Sequence, residues 1–385
     1  MKKGRQIVLN LLATIALAGG IPSRAEVGIL PRSILLGQSA AFSGPSGELG
    51  REFRKGAHAY IQQINAQGGI YGREIVVIYR DDQYEPAKTF ANTKQLVEQE
   101  RVFALFGYLG TPTFQAALPI IKANKVPVIA TVSGAQALRD LKKSSVFNIR
   151  ASYHDELSAI VQYLKHYGKK GIALIYQNDS FGKDGKLGLE KALKREGLRP
   201  PVVSLPIPRN APLHMIQKVT QLTANAKPDA VITISAYNNV ANVVEGLRQK
   251  KSEAQNFTIS FVGSQALAKQ LGKNGHGVGI SQVVPFPWDA RMPLVKEYQN
   301  VITKNRSNTQ YGFSSLEGFL AAKVLVEALK DSGPEPTRKK FVAALERMQG
   351  RSFGGYRISF SPENHNGSKY VELTFITGGK GTFIH

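Results

Sequence analysis

Short apolar runs alternate with amphipathic stretches along almost the whole chain, and this alternation constrains the fold more than composition does. Residues 34–41 read as a strand, and residues 52–65 place Phe53, Ala57, Tyr60, Ile61 and Ile64 on one helical face. Strand patterns follow at 74–79, 102–107 and 126–130, separated by helical patterns at 86–98 and 114–123. The series then restarts beyond a break near residues 151–155. Helices are predicted at 158–166, 182–196, 213–224 and 240–250, with strands at 171–176, 202–206, 229–235 and 257–262. Apolar strands separated by helices suit a parallel sheet covered on both faces. The fold class expected is therefore α/β, with two doubly wound parallel-sheet lobes. At 385 residues the chain is long enough for two domains. After a strand at 279–284, Pro285-Phe286-Pro287-Trp288 breaks regular structure and is read as carrying the chain back. Helical patterns at 294–304, 316–330 and 337–348 and a strand pattern at 370–377, closed by a turn at Gly378-Gly379, complete the chain. The division expected is residues 26–150 with 285–369 in one lobe, and 151–284 with 370–385 in the other.

The first 25 residues read as a signal peptide rather than as part of the fold. Lys2, Lys3 and Arg5 precede an apolar core from Ile7 to Gly20, and Ser23-Arg24-Ala25 ends in small residues suited to cleavage. The mature protein is expected in the periplasm, with free secretion as the alternative. Without a cysteine there is no disulfide, thiolate site or lipidated cleavage point. The formal charge of +22 admits nucleic acid, a membrane surface or anionic ligands as partners. However, Lys183, Lys186, Lys191, Lys194 and Arg195 are scattered over what read as helix faces, without interleaved aromatics, so the charge is read as a solvated surface and no nucleic acid is expected.

Residues 102–113 are an apolar run ending at Gly107, followed by Tyr108-Leu109-Gly110-Thr111-Pro112-Thr113. Thr111 suits a cap and Pro112 the first turn of a helix. Such a turn presents free N–H groups and hydroxyls at a positive helix end, which seats a carboxylate or phosphate. The plainer alternative is a capped strand-to-helix turn. In an open parallel sheet, ligands gather outside the carboxyl ends of the strands. The loops there carry Ser43, Tyr108, Thr111, Ser133 and Gly134 in the first half and Phe181, Tyr237 and Gln265 in the second. Hydroxyls on one side and rings and amides on the other suit a small molecule with an anionic head and an apolar body.

Catalysis has weak support. The seven histidines are scattered, with no metal-ligand spacing, and neither a Gly-x-Ser-x-Gly elbow nor a P-loop is present. Asp81-Asp82, at a strand end, is read as hydrogen-bonding locally rather than as an acid/base pair. No enzyme activity, metal or cofactor is expected.

Residues 37–50 (Gly-Gln-Ser-Ala-Ala-Phe-Ser-Gly-Pro-Ser-Gly-Glu-Leu-Gly), then Asn65-Ala66-Gln67-Gly68-Gly69-Ile70-Tyr71-Gly72-Arg73 and Asp81-Asp82, resemble the branched-chain amino acid binding protein family. The resemblance runs from about Ser33 to the C-terminus, including Ser315-Leu316-Glu317-Gly318-Phe319 and Gly354-Gly355. These are type I periplasmic binding proteins that feed ABC transporters. The resemblance implies two lobes joined by a three-segment hinge and closing on a small molecule, with an inner-membrane ABC permease as partner. A monomer is expected. It places Thr111, Ser133 and Gly134 on the ligand carboxylate, Phe181 as an aromatic lid, and Tyr237 near the amino group. Gln265 falls where the family has an acidic residue on the ligand ammonium. A neutral amide does not neutralise a buried ammonium, so a carboxylate or neutral amide with an apolar or aromatic body is favoured over a standard α-amino acid. The alternative function is a sensor that signals to a membrane receptor.

Overall fold

The computed structural model describes residues 26–140, 145–304, 310–377 and 382–384; the signal-peptide reading and the turn at Gly378-Gly379 lie outside them. The first half of the chain runs β1 (Ser33–Ala40), α1 (Gly47–Ala66), β2 (Glu74–Asp81), α2 (Pro86–Lys94), β3 (Ala104–Phe106), α3 (Thr111–Ala123), β4 (Val128–Ile129) and β5 (Val146–Phe147). These strands form one all-parallel sheet in the order β2-β1-β3-β4-β5. The second series is α4 (Tyr153–His166), β6 (Ile172–Gln177), α5 (Ser180–Arg195), β7 (Ser204–Ile207), α6 (Leu213–Asn225), β8 (Ala230–Ile234), α7 (Tyr237–Gln249), β9 (Gln255–Thr258), α8 (Ser264–Leu271) and β10 (Gly279–Gln282). Then come α9 (Pro293–Lys304), α10 (Phe313–Asp331), α11 (Arg338–Glu346), a hairpin of β11 (Arg351–Phe353) and β12 (Tyr356–Ile358), and finally β13 (Glu372–Thr377) and β14 (Thr382–Ile384).

The second sheet has the order β14-β13-β10-β9-β8-β6-β7, so the chain leaves the first sheet after β5, leaves the second after β10, and returns to it for β13. Three passages therefore join the halves. The C-terminal strands depart from the all-parallel expectation, because β13 pairs antiparallel with β10 and β14 antiparallel with β13.

Strand burial explains the winding. Every residue of β6 is buried. Its Ala173 and Ile175 pack with Ile216, Val219, Val243 and Leu247 on one side. Ile172 and Leu174 join the main core on the other, with Leu157, Ile160 and Leu189. A strand buried on both faces reads as a continuous apolar run because neither side meets water. On the first sheet, α1 lies along α10, which is buried on nearly every face. The passages are tied to one another. The Asn148 amide donates to the His365 carbonyl at 2.8 Å, and the Gly367 amide to the Asn148 carbonyl at 2.7 Å.

Candidate ligand-binding site

The carboxyl ends of the two sheets face each other, and the side chains at those ends meet. The loop after β3 turns at Gly110, and α3 begins at Thr111 with Pro112 in its first turn. The buried hydroxyls of Thr111 and Ser133 lie 2.8 Å apart, Ser133 coming from the loop after β4. The neighbouring Gly134 is fixed by packing, since a Cβ there would fall 2.6 Å from both the amide nitrogen and Cδ1 of Tyr153. The Tyr153 amide donates to the Gly134 carbonyl at 2.9 Å. Tyr153 is the first residue of α4, held by a capping box in which Ser152 and Asp155 each accept the other's backbone amide at 3.0 Å.

From the second half, Asp179 caps α5 and accepts the Phe181 amide at 3.0 Å. The fully buried Phe181 ring then packs 5.2 Å from Tyr153 and 4.6 Å from Phe261, which follows β9. Phe261 also lies 5.8 Å from the ring of Tyr84, from the loop after β2. Thr111, Ser133, Gly134, Tyr153, Phe181, Phe261 and Tyr84 thus form a continuous series of neighbouring hydroxyls and aromatic faces. The buried hydroxyl of Tyr84 lies beside Gln177, and that of Tyr153 beside Ser133 and the Gly134 backbone. Burial raises the Tyr84 phenol well above its usual range and pushes Tyr153 up to about 12, so both stay protonated donors at neutral pH. Buried hydroxyls grouped beside a helix N-terminus suit the polar atoms of a ligand.

The other expected residues are placed differently. Tyr108 is engaged within its own half. Its side chain is fully buried, its hydroxyl is spent on Thr93 of α2 at 3.1 Å, and its ring packs edge-on against Phe114. Ser43 is half-buried and bonds to Asp81, while Gln83 donates to its hydroxyl at 3.2 Å. Tyr237 opens α7, half-buried against the core. Gln265 lies against Gly312 before α10, with its amide nitrogen buried and unpaired. Asp179, which caps α5, also accepts from Gln177 and pairs with Arg209 at 3.4 Å, although it is not among the expected residues. Tyr84, Tyr153 and Phe261 escaped the sequence reading. Only Tyr153 had a local signal, the Ser152-x-x-Asp155 capping box.

Among the described residues no group of three or more His, Asp or Glu side chains is placed to hold a metal ion. No helix among them is long and apolar enough to cross a membrane.

A family model described as periplasmic binding protein matches residues 33–380. The Leu/Ile/Val-binding protein homolog 7 of Brucella suis biovar 1 is 26% identical over 375 residues, covering 93% of this chain and 91% of its own. A possible leucine/isoleucine/valine-binding protein from Rhodopirellula baltica SH 1 superposes with a TM-score of 0.84 at 31% identity, over 92% of this chain and 96% of that one. A substrate-binding periplasmic protein from Ralstonia solanacearum also gives 0.84, at 28% identity, over 91% and 99%.

Proposed function

The chain belongs to the periplasmic binding protein family, and we propose that it captures a small carboxylate or neutral amide with an apolar or aromatic body. Family and fold are those of solute-binding proteins rather than enzymes. In this reading residues 26–150 with 285–369 form one lobe and 151–284 with 370–385 the other. The mature protein works as a periplasmic monomer and hands its ligand to an inner-membrane ABC permease. The names of the relatives, which refer to leucine, isoleucine and valine, support a ligand of that size.

The observation that carries the proposal is the Thr111–Ser133 hydroxyl pair at the start of α3, facing the rings of Tyr153, Phe181 and Phe261. The hydroxyls and helix end receive the anionic or amide head, and the rings cover the body. Gly134 admits Tyr153, while Ser43, Tyr237 and Gln265 bound the site at its edges. Gln265 contributes no charge, which favours ligands without an ammonium group. Ligand bound between lobes stabilises the closed form by its differential affinity for that form.

Calorimetric titration with 3-phenylpropionate, its primary amide and leucine tests the reading. The acid or amide should bind more tightly than leucine, and Thr111→Ala should lose about 1–3 kcal/mol of affinity, the cost of an unmet buried polar group. Unchanged affinity in the variant removes Thr111 from the site.

A further inference from the structure

Tyr84 stands as a peg between the two halves. It and Gln83 hold left-handed backbone conformations, with φ of 64° and 53°. Non-glycine residues adopt these only where their surroundings impose them. Two carboxylates do so here: Asp81 Oδ1 accepts the Gln83 amide at 3.0 Å, and Asp82 Oδ1 accepts the Tyr84 amide at 2.9 Å. The ring is thereby laid over the entrance to α3. A Cβ on Gly110 would come within 2.2 Å of Tyr84 Cε2, one residue before Thr111.

Arg209, from the loop after β7, meets the peg from the opposite half. Its guanidinium lies 4.7 Å from the Tyr84 ring centroid and donates to the Tyr84 carbonyl at 2.5 Å. It also pairs with Glu85 at 3.5 Å and Asp179 at 3.4 Å, so one cation ties the loop of one sheet to the cap of a helix on the other. Arg209 and Glu85 line an open cavity of about 640 Å³ together with Asn178, Asp179 and Met215. Thr111, Tyr153, Phe181, Phe261 and Tyr84 are not part of its wall. The Tyr84 ring and the Arg209 guanidinium thus stand between the start of α3 and this outer cavity.

We propose that Tyr84 and Arg209 form a gate that sets the maximum length of a ligand seated on the Thr111–Ser133 hydroxyls, by closing the way from there to the outer cavity. The inference rests on the carboxylate-or-amide reading above and adds the residues that decide how long the apolar body can be. A compact acid fits behind the closed gate. A longer one must displace the Arg209 contacts, and its tail then enters the outer cavity beside Met215.

The test titrates the wild type, Tyr84→Ala and Arg209→Gln by calorimetry with benzoate, 3-phenylpropionate, 5-phenylpentanoate and 7-phenylheptanoate, and with their primary amides. Wild-type affinity is expected to fall at least tenfold from the best short ligand to the longest. Each variant should raise the longest ligand at least tenfold relative to benzoate. Arg209→Gln alters a loop at the rim, and its melting curve confirms folding, so the result does not depend on Tyr84→Ala being stable. The same length dependence in wild type and Arg209→Gln overturns the gate and leaves the carboxylate reading standing. Binding of none of these compounds by any of the proteins overturns both.

Discussion

Asp82 keeps a carboxyl where water scarcely reaches, and that sets its chemistry. Burial pushes its pKa up to about 6, against the Tyr84 amide and the hydroxyls of Ser39 and Thr89, which favour the charged form. In the unfolded chain an aspartate titrates near 4, so between about pH 4 and pH 6 the native state binds more protons than the unfolded one. The contribution of this residue to stability therefore falls as pH rises through that window. Asp82→Asn keeps an oxygen for the Tyr84 amide and removes the titration. Its stability relative to wild type should decline by about 2 kcal/mol between pH 7.5 and pH 4.5 in urea unfolding; a pH-independent difference would show that Asp82 ionises normally. The same residues show what was legible at this scale. Asp81-Asp82 as a locally bonded pair was readable because short acids at strand ends bind their own backbone. Thr111 and Ser133 were readable as hydroxyls beside a predicted helix start or strand end. Tyr84 was not, because a single tyrosine in a loop has no spacing, and its direction comes from two left-handed residues.

At the scale of elements, the closest approach is between α1 and α10. A Cβ on Gly56 would lie 1.7 Å from the Ser315 carbonyl oxygen, and one on Gly318 would lie 2.0 Å from that of Phe53. Backbone cannot yield as a flexible side chain does, so Gly56→Ala must push the helices apart. The expected loss is about 1–3 kcal/mol, the usual range for overpacking, read as a lower melting temperature; an unchanged melting curve would show that the pair has slack. The strand–helix alternation was legible because buried strands and one-faced helices write different periods into the sequence. Shorter pieces were not. Val146–Phe147 and the hairpin at Arg351–Phe353 and Tyr356–Ile358 are too short to show a period. The strand expected at 257–262 ends at Thr258. There Ser260 turns toward the buried Glu156, which accepts its amide at 2.8 Å, and a 3₁₀ turn spans Ser260–Val262. The pattern could not show this because the partner is 104 residues away. The helix Ser264–Leu271 was likewise passed over, its short run following directly on that turn.

For the whole molecule, the question is what holds three passages and two sheets in register, and the densest answer is a buried group of charges at the first passage. Arg150 Nε lies 3.0 Å from Oε1 of Glu317 on α10, and its Nη2 donates to Ser260 Oγ at 2.7 Å. Glu156 on α4 accepts from Ser260 and, at 2.6 Å, from Ser281 on β10 beside the second passage. Burial raises the pKa of both Glu156 and Glu317, with the Arg150 charge opposing it. One guanidinium therefore supports two carboxylates that would otherwise be stranded away from water. Buried ion pairs contribute little over a well-packed apolar replacement, yet removing one partner is costly because the other charge remains. Arg150→Met should accordingly lose about 3–5 kcal/mol in urea unfolding. Arg150→Met combined with Glu317→Leu should recover a large part of that loss, because only Glu156, with its serine donors, then remains charged. The fluorescence of Trp288 offers a matched readout of the joint, since its ring contacts Phe313 of α10 and Phe383 of β14 and so spans elements on both sides of the passages. If Arg150→Met proves as stable as the wild type, with unchanged Trp288 emission, the register of the halves is set by apolar packing and the buried charges are incidental to it.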